Sequence, residues 1–115
     1  MTQDSVQLIE ESIKRNRQLI DLDKALERLE SNKDFKLLIT DGYLKDEAVR
    51  LVHLKGDPNM QNPEKQAAIN NQINSISSLV QYFRTVSQVA AMATNAIEQA
   101  EAEREEIMAE EAARG

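Results

Sequence analysis

The chain carries one histidine and no cysteine, so imidazole or thiolate chemistry would rest on His53 alone. A metal site needs several convergent nitrogen, sulfur or carboxylate ligands, and no second His or Cys joins His53. It sits between Val52 and Leu54 at the end of an expected helix, where the dipole favours a positive charge. No Ser or Thr spacing identifies a nucleophile for it to activate. Asp21 and Asp23 resemble the start of a calcium loop. Leu22, Ala25 and Leu26 keep a helical period through them, however, and the loop's Gly and terminal Glu are missing. Glu10-Glu11 and Glu105-Glu106 are adjacent carboxylates that a helix turns to different sides, which reads as solvated surface. The three glycines stand alone at 42, 56 and 115, so there is no phosphate-cradling loop. The expectation is no catalytic, cofactor-binding or metal-binding residues, and no enzyme.

Tyr82-Phe83-Arg84 is the remaining chemical candidate. Two aromatics beside an arginine can stack on bases, but the surroundings are neutral and the chain's formal net charge is -6. Phosphate binding draws on Lys and Arg releasing counterions, so direct nucleic-acid binding is not expected. Phe83 falls on an apolar stripe and reads as a core or interface anchor, flanked by Tyr82 and Arg84, residue types favoured at interfaces. If fully buried, Phe83→Ala should cost ~3–5 kcal/mol. Phe35 and Tyr43 are expected to fix the middle segment against the helix that carries Phe83.

That helix dominates the chain. From Pro63 to about Ala113 no Gly or Pro interrupts it, and roughly fifty residues would span ~75 Å. Asn62 can cap it, Pro63 suits its first position and Glu64 complements its dipole. Ile69, Ile73, Ile76, Val80 and Phe83 step by four and three. Val86, Ala90, Ala93, Ile97, Ala100, Arg104 and Ile107 continue, with a step of three at Phe83–Val86 that repeats a three, a stammer in heptad terms. Ile69, Ile73, Ile76, Val80, Phe83, Val86, Ala90, Ala93 and Ile97 are the expected interface. The front half has large anchors; the back half is lined with Ala and turns acidic from Glu98. This suggests a helical body over 1–86 and a projecting Ala/Glu-rich extension over 87–115, which reads equally as a frayed, solvated helix in an isolated chain.

Ahead of it, a first helix should start near Asp4 or Ser5, either able to cap. It carries Val6, Ile9 and Ile13, a basic patch Lys14-Arg15-Asn16-Arg17, and then Leu19, Leu22, Leu26 and Leu29, ending at Ser31-Asn32. The middle is less determined. Leu44, Ala48, Leu51 and Val52 are helically spaced, which favours a short helix over 33–41, a kink or tight turn at Gly42 and a helix over 43–55. Asp41-Gly42 is also a hairpin signal, so a hairpin is the alternative. Gly56 suits a left-handed position after a helix, and Pro58 prevents continuation. The fold class is therefore all-α: an antiparallel helical hairpin or three-helix arrangement with one very long, coiled-coil-like C-terminal helix.

At 115 residues, with 3% aromatics, one domain with a modest core is expected. The lack of Cys fits a reducing compartment or a particle assembled in one. No apolar stretch approaches the ~20 residues a bilayer requires, and no signal peptide is evident. A soluble protein made in the cytosol is the expectation.

The pattern Asn32-x-Asp34-Phe35, Gly42-Tyr43-Leu44, Glu47-Ala48-Val49-Arg50-Leu51-Val52 and Asp57-Pro58, followed by Gln66 and Tyr82-Phe83-Arg84, resembles a family of small tailed-bacteriophage proteins. The resemblance covers residues 32–84, about half of the chain, and includes no diagnostic active site. It implies a non-catalytic virion structural or assembly component, at capsid, portal, neck or tail. The long helix and its seam predict association with further copies of the chain, and the resemblance adds other phage structural proteins as partners; no small-molecule substrate, cofactor or membrane is expected. The implied location is the host cytoplasm during assembly and then the virion. Alternatives are a transient helical scaffolding protein or prefoldin-like chaperone in head assembly, and an acidic regulator of a host protein.

Overall fold

The computed structural model describes residues 2–115, and its regular structure is helical throughout, with no β-strand among the described residues. Among the described residues the α-helices are α1 (Thr2–Glu30), α2 (Lys33–Phe35), α3 (Glu47–Lys55) and α4 (Pro63–Arg114). A π-helical segment, Lys36–Asp46, joins α2 to α3, and a 3-10 turn, Pro58–Met60, precedes α4. The all-α fold with one very long C-terminal helix is as the residue pattern implies.

The helix ends follow from side chains that satisfy free backbone groups. The Asn32 side chain accepts from the Phe35 amide at 3.0 Å, starting α2 directly after the end of α1. The Asp57 side chain accepts from the Asn59 amide at 2.8 Å, closing the 3-10 turn. The Asn62 side chain accepts from the Glu64 amide at 2.8 Å, so Asn62 caps α4 with Pro63 behind it. Two glutamine amides fasten the connector: Gln61 and Gln66 both donate to the Lys55 carbonyl at 3.0 Å. Gln66 also donates to the Met60 carbonyl at 2.8 Å. Each bond satisfies a carbonyl that the end of α3 or the turn would otherwise leave open.

Three local expectations are corrected. Helix α1 begins at Thr2, so Asp4 lies inside its first turn, complementing the dipole, and is not the residue before it. Gly56 has φ -85°, in the right-handed region, because the helix end tightens: the Gly56 amide bonds to the Val52 carbonyl and the Asp57 amide to that of Leu54. No left-handed residue is needed there. The kink or turn at Gly42 is absent. Residues 33–55 form one helical run, in which the Glu47 amide still bonds to the Gly42 carbonyl, a π spacing. The hairpin alternative falls with it.

The chain divides into two compact units. One comprises residues up to Ala25 together with Val86–Gly115, the other Leu26–Thr85. The C-terminal half of α4 thus groups with the N-terminal part of α1. Within α4 the boundary falls at Thr85–Val86, next to the irregular step in the heptad.

In the first unit the two helical segments run antiparallel. Arg104 faces Glu10 at 3.9 Å and Arg17 faces Glu101 at 3.5 Å. Nearer the other end, the Ser87 hydroxyl donates to the Asp23 carboxylate at 2.9 Å. Ile9, Ile13, Val86, Ala90 and Ala93 are buried. The small alanines let the helices approach closely at the cost of little area per contact. The second unit holds the larger core: Leu51, Ile69 and Ile76, with Tyr43, Leu44, Ala48, Leu54, Met60 and Ile73 packed around them.

Candidate functional site

Apolar spacing placed nine residues on one face of α4, and that face is covered. Ile69, Ile76, Val86, Ala90 and Ala93 are buried, and Ile73, Val80, Phe83 and Ile97 are half-buried. Their cover belongs to the same chain. Ile69 and Ile76 pack on Leu51 of α3, and the Phe83 ring lies 6.2 Å from that of Phe35 with the planes tilted by 57°. A second copy meeting α4 along this seam would have to displace those neighbours. Other apolar surfaces of the chain are left open.

They are marked by large apolar side chains left in solvent. On α4, Tyr82 is 55%, Met92 70% and Met108 55% exposed. Leu8 and Leu22 are exposed on α1, Leu37 and Leu38 on the π segment, and Val49 and Val52 on α3. Sequence reasoning missed most of these. The spacing puts Leu22 and Leu29 on the apolar stripe of α1, yet both are exposed, while Ile20 is half-buried. The signal was available in part: Leu8, Leu22 and Leu29 repeat at seven-residue multiples, beside the seam rather than on it.

Among the described residues, a groove opens on the surface of each unit. The first, about 380 Å³, runs between the π segment and α4. Leu51 and Ile76 form its apolar floor, and Tyr43, Glu47, Gln72 and Ser75 line it with polar groups. Glu47 is held by Arg50, whose Nε lies 3.1 Å from both carboxylate oxygens and whose Nη2 also bonds to it. That guanidinium hydrogen bond lowers the Glu47 pKa below the ordinary glutamate value and raises that of Arg50. The pair is solvent-facing, so it orders the helix surface more than it stabilises the fold. The second groove, about 400 Å³, lies in the other unit, walled by Glu10, Lys14, Arg17, Asp21 and Arg104.

The remaining chemical candidates are dispersed. His53 and Arg84 are exposed, and Asp21 and Asp23 lie within one turn of a continuous α1, pointing to different sides. Among the described residues no group of three or more His, Cys, Asp or Glu is placed to hold a metal ion. No helix there is long and apolar enough to cross a membrane. Tyr82 and Phe83 part company: the Phe83 ring turns inward to Phe35 while Tyr82, 6.1 Å away, faces out. No family model, curated protein or solved structure matches the chain.

Proposed function

We propose that the chain is a non-catalytic structural component of a tailed-phage particle, which self-associates and packs against other virion proteins through its long helix. The observation carrying this reading is α4 itself. It is 52 residues long, ~78 Å at the α-helical rise, and it keeps Tyr82 and Met92 exposed while its seam is closed by the same chain. Exposed aromatic and Met side chains on a helix suit protein contacts, since both types are enriched at interfaces. The resemblance of residues 32–84 to small tailed-phage proteins supports the setting. Assembly in the host cytoplasm followed by incorporation into the virion is part of the same proposal.

Two measurements test it. Sedimentation of the purified protein at micromolar concentration should show oligomers, and a monomer would remove the self-association. Mass spectrometry of purified particles should find the chain. Its presence in precursor heads but not in mature particles would replace the structural role with a transient scaffolding one, and absence from both would end the virion reading.

A further inference from the structure

The segment Lys36–Asp46 is wound as a π-helix although Leu37, Leu44 and Leu51 are spaced for an α-helix. An i→i+5 ladder turns ~82° per residue against ~100° for the α form. With Leu51 fixed in the core, the π winding brings Phe35 to within ~20° of the Leu51 direction and sends Leu37 ~160° away. The α winding would exchange them, placing Leu37 ~40° and Phe35 ~160° from Leu51. Exposure follows the π values: Phe35, Ile39 and Tyr43 are half-buried, whereas Leu37 is 70% and Leu38 69% exposed.

Gly42 sits at the pinch of this winding. A Cβ there would lie 2.8 Å from the Leu37 carbonyl oxygen, closer than real side chains come. The π register therefore requires a residue without a Cβ, while the α register prefers almost any other residue to glycine. Each register offers its own apolar contact: Phe35 on Phe83 in one, Leu37 over the core in the other. Such an exchange between two discrete packings is what a bistable element needs.

We propose that residues 36–46 are a two-register switch, in which conversion from π to α lifts Phe35 off Phe83 and turns Leu37 inward. The groove between this segment and α4 is rebuilt in the same step, because Gly42 and Tyr43 form part of its wall. A partner that recognises the groove or the exposed Leu37 then selects one register, coupling its binding to the Phe83 contact.

Gly42→Ala tests this by disfavouring the π form. The chain has two phenylalanines and no cysteine, which supplies both readouts. With phenylalanine selectively labelled, a ring–ring NMR cross-peak must join Phe35 and Phe83 in the wild type and vanish in Gly42→Ala. A thiol reagent should label Leu37→Cys several-fold more slowly in the Gly42→Ala background, while Leu38→Cys, exposed in both registers, labels equally. Retention of the cross-peak with unchanged Leu37→Cys labelling would overturn the proposal. So would loss of the cross-peak with both cysteines labelling as fast or faster, which means local unfolding rather than a change of register.

Discussion

Truncating Leu51 should remove more stability than any other single apolar deletion in the Leu26–Thr85 unit. Leu51 is 0% exposed and is the largest fully buried side chain. It meets Ile69 and Ile76 of α4 at the centre of the cluster that also holds Tyr43, Leu44 and Ile73. Leu51→Ala removes three carbons, which at ~0.8 kcal/mol per buried methylene is ~2.4 kcal/mol of transfer energy. An unrelaxed void of ~50 Å³ would add ~1.2 kcal/mol. Leu51 also floors the groove beside Tyr43, so part of that void opens to water and part collapses. The expected loss is ~3 kcal/mol. Urea denaturation followed by far-UV circular dichroism would read it, with a midpoint lowered by ~1.5–2 M for a slope of ~1.5–2 kcal/mol/M. Leu37→Ala, on an exposed side chain, is the control and should stay within ~0.5 kcal/mol of wild type. A Leu51→Ala loss under ~1 kcal/mol, or a Leu37→Ala loss equal to it, would refute the assignment of the core.

Phe83→Ala should cost ~2 kcal/mol by the same assay, below the ~3–5 kcal/mol of a fully buried ring, because Phe83 is only half-buried. Asn62→Ala removes the cap of α4 and should cost ~1 kcal/mol, with amide exchange accelerated at Glu64. Reversing the charge of Glu10 or Glu101 should change stability by less than ~0.5 kcal/mol at physiological salt, since both pairs with Arg104 and Arg17 are partly solvent-exposed and screened; a larger thermal shift would mean that charge sets the helix register. Glu47 has a lowered folded pKa because Arg50 hydrogen-bonds its carboxylate. The pair's contribution is therefore present above the ordinary glutamate pKa and lost as pH falls through the depressed value. In Arg50→Ala a carboxylate NMR titration should show the Glu47 pKa rising towards its ordinary value.

What could be read from the residues divides by the range of the interaction. Asn62-Pro63-Glu64 marked the start of α4, and its cap is made within two residues. Gly56-Asp57-Pro58 marked the break after α3, but not its geometry, since the final turn tightens through backbone bonds that any residue can make. On α4 the four-and-three spacing found the covered face down to Ala90 and Ala93. On α1 the Leu19-Leu22-Leu26-Leu29 spacing described two neighbouring columns, and only their surroundings show that Leu22 and Leu29 stay outside.

The sequence by itself determined an all-α chain, its long C-terminal helix and the apolar seam along it, because caps, proline positions and helical periodicity act over a few residues. Only the tertiary structure decided what covers that seam and how residues 36–46 are wound. A π and an α turn differ by one residue in the hydrogen-bond ladder, a local choice that the spacing of Leu37, Leu44 and Leu51 would settle for α. Packing at Phe83, Leu51 and Ile76 rewards Phe35 and Tyr43 instead, and Gly42 admits the close carbonyl approach that this register demands.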